Sequence, residues 1–168
     1  MPLLVGGTFA VGRLVSADIA IANTETVVCS YTCAANDLRA GTMFHILAYA
    51  TRAGTQSASA IARIRIGTTT LIGNIAASVT QPASNLAVPI RIEGIVEIRT
   101  DGSGGTALGS IEMSQHLAAV TITDAISPTT ATVGVDTTAA NQKVELTFIS
   151  AHANNTFTFR NAFIRVVA

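Results

Sequence analysis

The sequence predicts an all-β protein, an antiparallel β-sandwich of jelly-roll type with about eight to ten strands. Apolar residues recur with period two in one short segment after another, and no stretch of any length carries the 3.6-residue period of a helix. Turn residues separate these segments, Asp101-Gly-Ser-Gly-Gly105 most plainly, because glycine permits positive φ. The connections are long and unequal, which suits two interleaved Greek keys better than simple up-and-down hairpins. No repeat at a fixed period appears, so a propeller or solenoid is not expected.

A length of 168 residues fits one domain and suffices to bury a single core. Residues 1–16 read as an apolar N-terminal arm or a first strand, and 17–168 as a single jelly-roll domain. Asp18 to Ala22 is a brief strand. Thr24 to Cys33 follows, with Val27, Cys29, Tyr31 and Cys33 on one face and Val28 breaking the pattern. Asn36 to Gly41 supplies a turn before Thr42 to Thr51, which is apolar on both faces: Met43, Leu47 and Tyr49 with His45 on one, Phe44, Ile46, Ala48 and Ala50 on the other. A strand apolar on both faces is buried on both, here against the core and against a second subunit.

Ala60 to Ile66 alternates Ala62, Ile64 and Ile66 with Arg63 and Arg65, and 76–86 reads as a long loop. Val88 to Thr100 is the longest strand. It sets Ile90, Ile92, Val96 and Ile98 against Arg91, Glu93, Glu97 and Arg99, with Ile95 interrupting the charged face. Three weaker strands follow, Thr106 to Met113, Ala119 to Thr123 and Thr130 to Val135. The chain closes on Lys143 to Ser150 and Thr156 to Val167, read as a C-terminal β-hairpin around 151–155. Phe157 and Phe159 belong to the core of that reading, and the phase slip after them calls for either a bulge near Asn161 or burial of both faces.

Hydrophobic residues make up 49% of the chain and charged residues only 12%, about half the usual charged share. Burial between subunits accounts for this, since interface cores are depleted of charge. Uncharged stretches such as 67–90 are broken by polar residues or proline, so no membrane span is expected. The net charge of 0 provides no basic field for nucleic acid. The start has no basic segment before its apolar run and does not read as a signal peptide, so Cys29 and Cys33 are expected as free thiols in a reducing cytoplasm.

Chemistry-bearing patterns are sparse. Cys29 and Cys33 share a strand face about 13 Å apart, beyond disulfide reach. His45, His116 and His152 occur singly, without the spacing of metal ligands. The hydrolase elbow Gly-x-Ser-x-Gly does not occur, and 101–105 lacks the ending of a phosphate loop. Glu93 and Glu97 stand about 13 Å apart along one strand, too far for a glycosidase pair. These readings predict no enzyme, no cofactor and no metal. The expected role is contact: Met43, Leu47, Tyr49 and Phe163 between subunits, and Leu3, Leu4, Val5 and Phe9 as a docking arm.

Asn36-Asp-Leu-Arg-Ala-Gly-Thr42, Ile64-Arg-Ile-Gly-Thr-Thr-Thr70, Ile98 to Thr106, Val135 to Asn141 and Asn154-Asn-Thr-Phe-Thr-Phe-Arg160 together resemble a diffuse group of small tailed-bacteriophage virion proteins. The resemblance covers most of the chain from Asn36 onward and leaves Met1 to Ser16 outside it. It implies a jelly-roll domain, often trimeric, serving as a capsid decoration (cement) protein, a head fibre or a tail-associated module. The expectation is a homotrimer on the capsid surface of the virion, made in the bacterial host cytoplasm and bound to the phage major capsid protein. The alternative is a receptor- or carbohydrate-binding jelly-roll module of the tail, which the absence of Trp disfavours.

Overall fold

The computed structural model describes residues 18–54, 58–67, 72–81, 87–116, 122–128 and 133–167, and of 72–81, 116 and 122–128 the backbone. Eleven strands lie within these residues: β1 (Ile19–Ile21), β2 (Thr26–Cys33), β3 (Met43–Ala53), β4 (Ala58–Gly67), β5 (Ile72–Gln81), β6 (Val88–Thr100), β7 (Gly105–His116), β8 (Ile122–Pro128), β9 (Val133–Val135), β10 (Gln142–Ser150) and β11 (Thr156–Val166). They form two antiparallel sheets packed as a sandwich. The first runs β1-β11-β3-β6-β7-β8, with β9 also on β7, and the second runs β2-β10-β4-β5.

The pairing is that of a rolled ribbon. β1 pairs with β11, β2 with β10, β3 with β6 and β4 with β5, so the early strands take later partners in reverse order. Alternate pairs fall in opposite sheets, joined by β11 on β3 and β10 on β4. This is the jelly-roll winding of two Greek keys. β7, β8 and β9 are inserted between β6 and β10 and widen the first sheet beyond β6.

The alternation read from the sequence maps onto the two sides of these sheets. On β3, Phe44, Ile46, Ala48 and Ala50 are buried, and on β6 so are Ile90, Ile92, Val96 and Ile98. They face Ala62, Ile64, Val144, Leu146 and Phe148 of the second sheet within one core. Gly94 sits on the inner face of β6, where a Cβ would meet the tip of the Ile64 side chain of β4 and make it shift.

Four expectations are corrected. β10 and β11 are not a hairpin: they lie in opposite sheets, and the connection 151–155 crosses from one to the other. Their phenylalanines explain why, since facing strands bury Phe148, Phe157 and Phe159 against one another from both sides. On β2 the buried residues are Val28, Cys29 and Cys33 while Val27 is exposed, because the ladder slips opposite Leu146 and Thr147 and turns the strand over. Residues 76–81, read as loop, belong to β5, which pairs with β4 alone and holds its place through backbone bonds that polar residues also make. β8 covers Ile122–Pro128, so it runs on through the stretch read as a break to Pro128, while 119–121 of the expected strand lie outside the described residues; proline is tolerated at its end because β8 is the last strand of its sheet.

The bulge near Asn161 is present: the register of β11 on β3 shifts between Phe159 and Asn161. The shift brings both Phe159 and Ala162 to the core despite their odd spacing. The turn 101–105 joins β6 to β7 as expected, with Gly102 at φ +104 and its carbonyl accepting from Gly105 N–H.

Candidate interaction surface

Because β3 turns Phe44, Ile46 and Ala48 inward, Met43, His45, Leu47 and Tyr49 stand on the outer face of the first sheet. Register sets their neighbours. Leu47 lies between Phe163 of β11 and Glu93 of β6, His45 between Arg165 and Ile95, Tyr49 between Asn161 and Arg91, and Met43 beside Glu97. Met43, Leu47, Tyr49 and Phe163 are thereby brought onto one continuous face. Tyr49 is 43% exposed and Ile95 44%, while Met43, Leu47 and Phe163 are half-buried. Ile95 was visible in the sequence only as a break in the charged side of its strand; the fold makes it part of this apolar patch.

A chain of polar contacts crosses the same face. Arg165 Nε–H donates to His45 Nδ1 at 3.0 Å, and His45 Nε2 lies 2.7 Å from Glu93 Oε1. The guanidinium of Arg91 binds the other oxygen of Glu93, and Arg99 pairs with Glu97 at 3.0 Å. The His45 hydrogen bond and then the Arg91 charge hold the Glu93 carboxyl below its ordinary value, outweighing the opposing effect of burial. A hydrogen bond with Tyr49 raises the Arg91 value further. Phe163 meets His45 edge-on at 6.1 Å, and the Arg165 guanidinium stands 6.0 Å over its ring.

Among the described side chains the charges of this face sum to zero. Arg91, Arg99 and Arg165 are matched by Glu93, Glu97 and Glu112, the last opposite Glu93 on β7. Of these charges, Arg91 is paired with Glu93 and Arg99 with Glu97.

The outer side of the second sheet carries a smaller cluster. Glu25 lies 3.1 Å from Arg63 and 2.6 Å from Arg65, and accepts from Thr147 Oγ1–H at 2.6 Å. Burial pushes its carboxyl up, but the Thr147 hydrogen bond and the two arginines together pull it below the ordinary value. At one end of the sandwich Arg52 and Asn155 are fully buried together, and Gly54, at φ +146, approaches Asn155 so closely that a Cβ there would lie 2.7 Å from the Asn155 Cα.

Cys29 and Cys33 are free and buried, and burial pushes each thiol up to about 12. His152 holds its loop, its Nδ1 accepting from Asn154 N–H at 3.1 Å. Leu3, Leu4, Val5 and Phe9 lie outside the described residues. Among the described residues no three His, Cys, Asp or Glu side chains gather where they could hold a metal, and no helix is long and apolar enough to cross a membrane. Comparison of the chain with known protein families, with curated proteins and with solved structures finds no match.

Proposed function

We propose that the protein is a structural assembly protein whose copies associate through the outer face of the first sheet, as a homotrimeric decoration protein of a phage head. The observation that carries the reading is the joining of Met43, Leu47, Tyr49, Ile95 and Phe163 into one apolar patch around a charge-balanced network. A second copy is its natural occupant, because matched cations and anions on one face meet the same set on another without net repulsion. The low charged fraction of the chain supports the same reading. The site on a virion, with the major capsid protein as partner, follows from the resemblance of the turn and strand segments from Asn36 onward.

Light scattering at micromolar concentration tests the association. A trimer is expected, and Tyr49→Asp or Phe163→Asp reduces it to monomer while leaving the β-sheet circular dichroism unchanged. A stable wild-type monomer, or full assembly of both variants, sinks the reading.

A further inference from the structure

His45 is the hub of the outer face, and both of its ring nitrogens are occupied. Nδ1 accepts from Arg165 Nε–H, so the neutral ring carries its proton on Nε2 and donates it to Glu93. A second proton has only Nδ1 to go to, and that atom faces an N–H donor. Two donors would then point at each other, with a cation beside a guanidinium.

The groups facing the ring are few. From β11 come Arg165 and Phe163; from β6 come Glu93, Ile95 across the ladder and Glu97 diagonally; on β3 itself Met43 and Leu47 are uncharged. Glu93 is already shared with Arg91, and Glu97 is paired with Arg99. Among the described residues no anion stands where Arg165 does. Arg165 must therefore swing away, which withdraws the guanidinium from above Phe163, and the face gains one positive charge.

We propose that protonation of His45 releases the association of these faces, so that the assembly comes apart on acidification. The proposal rests on the reading of this face as the interface between copies. Each subunit then adds one charge, and like-charged faces meeting across an interface repel.

The test is sedimentation equilibrium of the full chain at about pH 8 and about pH 5.5, inside the window where histidine changes charge, at equal ionic strength. Near-ultraviolet circular dichroism checks that the fold persists. Wild-type association is expected to weaken about tenfold or more, because like charges brought together across an interface are costly. His45→Gln keeps an acceptor for Arg165 and a donor for Glu93 but takes up no second proton, so it should associate like the wild type at both values.

Wild-type association that does not change with pH overturns the proposal and leaves the interface reading intact. Equal loss in His45→Gln overturns it too, by assigning the effect to other groups. Absence of any oligomer at either pH defeats the interface reading, and the proposal with it. Imidazole nitrogen shifts give an independent check: a neutral His45 carrying its proton on Nδ1 would contradict the geometry.

Discussion

The ring of Phe148, on β10 in the second sheet, lies 4.7 Å from the ring of Phe157, on β11 in the first, the two tilted at 56°. Phe159, two residues on along β11, stands 5.0 Å from Phe148. All three are fully buried, so this triplet ties the two sheets together. Phe148→Ala should therefore lower stability by about 3–5 kcal/mol, the usual cost of emptying a phenylalanine site, and Phe148→Leu by clearly less. Denaturant unfolding with an unchanged slope measures it. A loss below about 1 kcal/mol would mean that the sheets are not held here.

Acid should weaken the fold through Glu25 and Glu93, whose carboxyls both sit below their ordinary value of 4.5. A depressed carboxylate contributes its stability above its unfolded value and loses it as pH falls through the folded one. The loss therefore begins near pH 4.5 and continues below it. Both groups are partly solvated, so each contributes no more than about 1 kcal/mol. Glu25→Gln should be less stable than wild type at neutral pH and show a flatter decline on acidification. Parallel stability curves for the two proteins would count against the Arg63 and Arg65 pairing.

Cys29 and Cys33 should be inert in the folded protein. Burial first, then the Glu145 charge for Cys29 and the Asp37 charge for Cys33, raises both thiols to about 12, so almost no thiolate exists at neutral pH. Iodoacetamide at pH 8 is expected to label neither residue in the native protein and both after unfolding. Labelling of native protein faster than its unfolding rate would show that β2 opens locally.

Local alternation is the signal that survived into three dimensions. β6 occupies Val88–Thr100 as read, and its inner and outer residues fall as the pattern assigns them. The bulge at Asn161 was legible for the same reason, since an odd apolar step within a strand calls for an extra residue in the ladder if both apolar side chains are to reach one core. Two apolar faces on one strand likewise placed Met43, Leu47 and Tyr49 on the side of β3 away from the core.

Pairing was not legible, because it is decided between residues far apart in the chain. Period-two alternation in β10 and β11 is the same whether the strands lie side by side or face each other, and only the packing of Phe148 against Phe157 and Phe159 distinguishes the two. Edge strand β5 escaped notice because backbone bonding to one neighbour leaves little trace in side-chain pattern. Above all, His45 read as a lone histidine in an apolar strand. Its partners Glu93 and Arg165 lie 48 and 120 residues away, so the sequence determined that His45 would stand on an outer face, and the rolled ribbon alone decided that a carboxylate and a guanidinium would stand on either side of it.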